Sequence, residues 1–273
     1  MTSDSLMYNT STELIQFYDN THIISDSTHI FCSYGWYNTI TDRTKLINRA
    51  KMISGSSVLE GDTLYYDRKT GYGEAFRNVL FRDTTENILL TSQKGFFNQK
   101  DSSVLATDSA VFVSWENQDS LFLHGDTLFS RKDTVLGREV KAYFGVRFYR
   151  IDLQGVCDSL YYCEKDSLMR LYKNPVLWSD SMQMSADYIE FLVDREQVRQ
   201  LFMKSNAFIV SQYEGSDYNQ VKGNQMQGFL INNDLDHLVV TGNSEAVYFI
   251  EDDKGAKTGI NKSSSANMTL FLA

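Results

Sequence analysis

The chain has 273 residues, of which 42% are hydrophobic and 13% aromatic, with a formal net charge of -9, three cysteines and a single proline, Pro175. That apolar content supports a sizeable core and excludes a disordered chain. The scattered Lys and Arg exclude the clustered basic face that nucleic acid needs, and near-absence of proline suits a chain made almost wholly of β-ladder.

Read from the N-terminus, two phrases alternate. The first is a bulky or aromatic residue followed by Asn or Asp: "MYN" ending at Asn9, "WYN" at Asn38, "YYD" at Asp67 and "FFN" at Asn98. It continues more loosely as "LFS" at Ser130, "YYC" at Cys163, "EFL" at Leu192 and "LIN" at Asn232. The second is a turn-type residue leading into an apolar run, at Asn20, Asn48, Asn78, Asp108, Gly145, Asn174, Asn206 and Asn243. These eight step by roughly 30 residues, a repeat-protein period. All are Asn, Asp or Gly, which tolerate left-handed backbone or bond their own main chain at a turn.

Each unit therefore reads as strand, turn, strand, turn, strand, with "DRKTG", "NQKDS", "ENQDS" and "EDDKGAKTG" as hairpin loops. The best helical candidate, "SADYIEFLVDREQVRQLFM" from Ser185, aligns with "CDSLYYCEKDSLMRLYK" and reads as strand, turn, strand instead. The expectation is an all-β, repeat-built fold of roughly 16 to 20 strands. Hairpin-length loops favour an antiparallel half-pipe, with a single-file β-solenoid as the alternative. Alternation puts Leu64 and Tyr66 on one face and Thr63 and Tyr65 on the other. Leu64, Leu128, Leu160 and Ile189 recur at matching places and are expected to form an inward apolar column, with Tyr66, Tyr162 and Phe191 beside it.

The chain opens on "SDSLMYN" and closes on "SANMTLFLA", both interrupted phrases, and no polar capping repeat is visible. It is read as one elongated domain over 1–273, an excerpt of a longer protein, with open edges that invite another chain to add on. No run of 18 apolar residues and no signal peptide is present.

No catalytic or metal site is expected, and no cofactor. His22, His29, His124 and His237 lie far apart without a ligand motif, and Cys32, Cys157 and Cys163 have no metal spacing. Cys157 and Cys163, six apart, would share a face of a continuous strand as half-buried thiols. The aspartates of "GDT", "TDS" and "CDS" (Asp62, Asp108, Asp126, Asp158) recur with the repeat, whereas catalytic residues are unique within an array. They are read as structural.

The ordered set of phrases, with "GDTLYYDRKTGYGEAFRNVLF", "GWYN", "ATDSAVF", "SLFLHGDTL" and "LQGVCDSL", resembles the OstA/LptA family of lipopolysaccharide-transport proteins, in wording the larger OstA-like proteins of the Bacteroidetes type. The resemblance runs from Asp4 to Leu272. It implies a twisted β-jellyroll half-pipe, or β-taco, in the periplasm, with the signal peptide lying outside this sequence. It further implies lipid A acyl chains in an apolar groove lined by Leu64, Tyr66, Leu128, Leu160, Tyr162, Ile189 and Phe191. The implied partners are lipopolysaccharide, other Lpt-type β-jellyroll domains met through edge strands, and further copies joined head to tail. A β-repeat surface scaffold or adhesin without a lipid conduit is the alternative function.

Overall fold

A computed structural model describes every residue except 26–27, 117–118, 180, 195–196, 232–233, 253 and 272–273. Among the described residues there is no helix, hence none long and apolar enough to cross a membrane. The described residues form 19 strands, and each pairs antiparallel with its partners, as the hairpin-length loops predict. The chain divides into two compact units, Met1–Thr134 and Val135–Ala273.

The first unit is a plain meander: β1 (Thr2–Asn9), β2 (Leu14–Ser25), β3 (Thr28–Asn38), β4 (Arg43–Ser54), β5 (Ser57–Asp67), β6 (Tyr72–Asp83), β7 (Ile88–Asn98), β8 (Ser103–Glu116) and β9 (Asp119–Asp133). Each strand pairs with the next. The first phrases end β1, β3, β5 and β7, and their last residues cap the turns. Asn9 Oδ1 accepts from the amides of Ser11 and Thr12, Asn38 Oδ1 from Ile40 and Thr41, and Asp67 Oδ1 from Lys69 and Thr70. Such Asx turns let a short polar side chain replace a missing main-chain partner. The turns then close through a left-handed residue: Glu13, Asp42, Gly71 and Ser102. They also join one another. Thr39 N donates to Glu13 O, Arg68 N to Asp42 O and Gln99 N to Gly71 O, at 2.9–3.0 Å.

The second phrase is not a turn. Asn48, Asn78 and Asp108 lie inside β4, β6 and β8. From Phe76 to Val79, β6 advances three residues while β7 passes only from Lys94 to Ser92. An extra residue of this kind is a β-bulge, which bends its strand and sharpens the local twist. Left-handed backbone marks every mid-strand bulge of the first unit: Asp19, Asn48, Arg77 with Asn78, and Asp108 with Ser109. In the second unit it marks Phe144 with Gly145, Lys173 with Asn174, Ser205 with Asn206, and Gly242 with Asn243. Seven of the eight predicted positions are left-handed; at the first, Asp19 takes that conformation instead of Asn20. The strand continues because a bulge and a turn make the same local demand, while the ladder on either side holds the chain extended. The repeat therefore contains two bent strands rather than three straight ones.

The second unit comprises β10 (Gly137–Tyr149), β11 (Gln154–Cys163), β12 (Leu168–Tyr172), β13 (Val176–Ser179), β14 (Met182–Ser185), β15 (Tyr188–Asp194), β16 (Gln197–Gln212), β17 (Tyr218–Ile231), β18 (Asp234–Glu251) and β19 (Lys257–Phe271). Two of its bends break the strand outright. β12 and β13 both pair with β11, on either side of Lys173, Asn174 and Pro175. Proline has no amide to give the ladder, so it occupies the break. β14 and β15 likewise pair with β13 and β12 on one side and both with β16 on the other. The strand, turn, strand reading after Ser185 holds, as β15 and β16; residues 195–196 of the intervening loop lie outside the described residues. Asn232, the last first-phrase residue, lies outside them too.

Candidate functional site

The bulges set the inward face. At each one the even-numbered strand takes four residues between successive inward positions, Leu46 to Ala50 in β4, where the odd strand takes three, Gly61 to Leu64 in β5; all four are buried. The two limbs of each bent strand share a single core. In the first unit Phe17, Leu46, Leu64 and Ala75 from one limb cluster with Cys32, Ala50 and Val79 from the other.

Strand pairing runs the first limb's inward positions into one row, Phe17, Gly35, Leu46, Leu64, Ala75, Gly95, Ala106 and Leu128. The second unit repeats it with Ala142, Leu160, Leu171, Ile189, Met203, Met226 and Val240. The residues expected inward are all on this side. Leu64, Leu128, Leu160, Ile189 and Phe191 are buried, while Tyr66 and Tyr162 are half-buried. Thr63 and Tyr65 face the other way.

Burial is graded along each limb of the first unit. Two residues beyond the buried row lies a half-open one, Ile15, Tyr37, Thr44, Tyr66, Gly73, Phe97 and Val104, in which Phe97 is 41% exposed. The opposite limb answers with Ile23, Ile30, Met52, Leu59, Phe81, Leu90 and Phe112, also half-buried and paired residue to residue from β2 to β8. The inward side of the first unit therefore has a packed floor flanked by half-buried apolar rows. In the second unit many of the wall positions are filled: Phe191, Leu201 and Leu238 on one limb and Leu177, Met184 and Ile209 on the other are buried, while Val140, Tyr162 and Met169 stay half-buried. The second-limb wall was not singled out from sequence, although its signal is present in the apolar runs "THII", "AKMI" and "VLF" that follow each bulge residue.

The polar groups of the repeat are committed to holding the bends and turns. Asp62 accepts from Asn78 Nδ2 at 3.2 Å, Asp187 accepts from Asn206 Nδ2 at 3.1 Å, and Asp158 pairs with Lys173 at 3.0 Å. Asp62 and Asp158 each tie an odd strand to the bend beside it, and Asp187 ties the break between β14 and β15 to the bulge of β16. Asp67 is buried beneath its turn, where the Arg43 guanidinium at 2.8 Å and the Thr70 amide hold its carboxyl below the usual range. The hydroxyl of Ser57 and the amides of Glu86 and Thr85 bring Asp83 down to about 2.

His22 stacks on Phe31 with ring centroids 4.4 Å apart and shares a 3.1 Å hydrogen bond with His29; His237 stacks on Phe229, also at 4.4 Å. Among the described residues no group of three His, Cys, Asp or Glu is placed to hold a metal ion. All three cysteines are free and buried rather than half-buried, and burial pushes the thiols of Cys32 and Cys157 up to about 11 and about 12. Cys157 and Cys163 do not share a face. The bend between Cys157 and Leu160 resets the alternation, leaving Cys157 inward and Cys163 beneath the turn, its thiol directed at Leu136 O.

Residues 1–114 match the family model described as OstA-like protein. No curated protein matches the chain. The match spans β1 to Ser114 of β8, nearly all of the bent-strand repeat of the first unit. Over those residues the chain is similar to the OstA-like family, and the match supports a protein of the OstA/LptA type.

Proposed function

We propose that the protein binds and transports lipopolysaccharide in the periplasm, holding lipid A acyl chains in an apolar cleft and passing them toward the outer membrane. The observation that carries this reading is the uninterrupted pairing of like apolar positions from strand to strand. Rows of near-equivalent side chains offer a sliding chain many similar sites and no deep trap. Tyr66, with Ile15, Tyr37 and Leu59, forms the walls; Leu64 and Leu128 form the floor. Leu160, Tyr162, Ile189 and Phe191 are the matching positions in the second unit, where the cleft must widen to admit a chain. Both units are read as parts of one OstA-like array of the Bacteroidetes type.

Transport across a gap needs contact with further such domains. β1 opens the first meander, and its Leu6, Met7 and Tyr8 are 43–48% exposed; β19 closes the second, with Phe271 79% exposed. End strands of this kind accept another strand by main-chain pairing. Head-to-tail joining of copies, or of other Lpt-type β-jellyroll domains, is the contact proposed.

Photo-crosslinking tests the conduit. A benzophenone side chain is placed at Tyr66, Tyr162 or Phe191, with Tyr65 and Leu105 as outward controls, in cells that make lipopolysaccharide. Lipid adducts are expected at the inward positions, strongest at half-open Tyr66. Adducts equally strong at Tyr65, or none from folded protein, would overturn the reading.

A further inference from the structure

Several cations of the outer face are paired with carboxylates. Lys51 meets Glu60 at 2.7 Å, Lys222 meets Glu245 at 3.3 Å, and Arg170 meets both Asp166 and Glu190. A concavity of about 580 Å³ on the first unit carries an excess of cations. Lys45, Thr63, Phe76, Arg77, Gln93 and Lys94 line it with Asp108, so three cations face one carboxylate in a chain of net charge -9. Asp108 is already engaged by Lys94 at 2.9 Å. Among the described residues neither Lys45 nor Arg77 has a carboxylate within ion-pair distance.

The repeat explains why Arg77 is left over. At the later bulge Lys173 occupies the place of Arg77, and the aspartate of the "CDS" phrase, Asp158, neutralises it at 3.0 Å. The equivalent aspartate here, Asp62, is taken instead by Asn78. Arg77 is moreover held left-handed, with φ 60°. Bulges often re-aim a side chain beside a functional site, and such backbone persists only where surrounding structure enforces it. Five strands converge on the concavity: Lys45 from β4, Thr63 from β5, Phe76 and Arg77 from β6, Gln93 and Lys94 from β7, and Asp108 from β8.

We propose that this concavity binds a phosphorylated sugar. The planar guanidinium of Arg77 and the ammonium of Lys45 suit a phosphate, which a guanidinium engages through paired hydrogen bonds. The Phe76 ring supplies an apolar surface for the C–H face of a sugar, and Thr63 and Gln93 supply hydrogen-bonding groups for its hydroxyls. Resting on the transport reading, the source is the headgroup of the glycolipid, bound on the outer face while its acyl chains lie inside.

The test is a titration of the full chain at low salt with glucose 6-phosphate, glucose and inorganic phosphate, followed by NMR. Glucose 6-phosphate is expected to bind roughly tenfold more tightly than either fragment, shifting Phe76 and Arg77, and to lose that affinity in a Lys45→Ala/Arg77→Asn variant. Asn is at home in left-handed backbone, so the variant keeps the bulge. Inorganic phosphate binding as tightly as glucose 6-phosphate would overturn the sugar assignment. Shifts at other residues, or no binding, would overturn the site. Lipopolysaccharide should displace glucose 6-phosphate and its dephosphorylated form should not; failure to displace would overturn the lipid source. The same variant should keep its inward photo-adducts, so the headgroup site and the acyl conduit fail independently.

Discussion

Leu46→Ala tests the inward row most directly. Leu46 is 1% exposed and lies opposite Leu64 on one side and Gly35 on the other. The substitution removes three carbons, each about 0.8 kcal/mol of lost burial, or roughly 2.4 kcal/mol before any cavity is counted. Gly35 has no side chain to move into the space, and its Cα lies so close to β4 that an added Cβ would stand 2.5 Å from Lys45 O. Collapse is therefore limited, and the total loss is expected at about 3–4 kcal/mol, within the range of buried leucine truncations. Urea unfolding followed by tryptophan fluorescence reads it, because Trp36 and Trp115 belong to the first unit and Trp178 to the second. Lys45→Ala, one residue away and facing outward, is the control and should change stability by less than about 0.5 kcal/mol. Similar losses from both, or a loss below about 1 kcal/mol from Leu46→Ala, would refute the assignment of the inward face.

The bulges and the buried carboxylates give further tests. Asn48 is exposed and left-handed, so Asn48→Ala should destabilise by about 1 kcal/mol while Asn48→Gly stays near neutral; equal effects in thermal unfolding would mean the backbone is not what selects Asn. Asp83 has a depressed folded value of about 2, so its contribution is full above the unfolded carboxyl near 3.9 and fades as pH falls toward 2. The stability advantage of the native protein over Asp83→Asn should accordingly shrink between pH 5 and pH 2, and a constant difference would contradict the hydrogen-bonded carboxylate.

Much of the fold is legible along the chain because its signals are local. An Asn or Asp ending a strand caps its own turn through its side chain, so Asn9, Asn38 and Asp67 announce their hairpins wherever the strands go. Left-handed backbone is a single-residue demand, so Asn48, Asn78, Asp108 and Asn206 could be read before any partner was known. The alternation that puts Leu64 opposite to Tyr65 is equally local. Tertiary structure decided everything that depends on a neighbouring strand. Left-handed Asn78 is a bulge rather than a turn only because β5 and β7 continue past it on both sides. The same bend, by resetting the alternation, separates the faces of Cys157 and Cys163. Whether an inward row ends half-buried, as at Tyr66, or buried, as at Phe191, depends on how the opposite limb packs, which no single strand encodes. Lys45, Arg77 and Lys94 meet only because strand pairing brings three distant segments side by side.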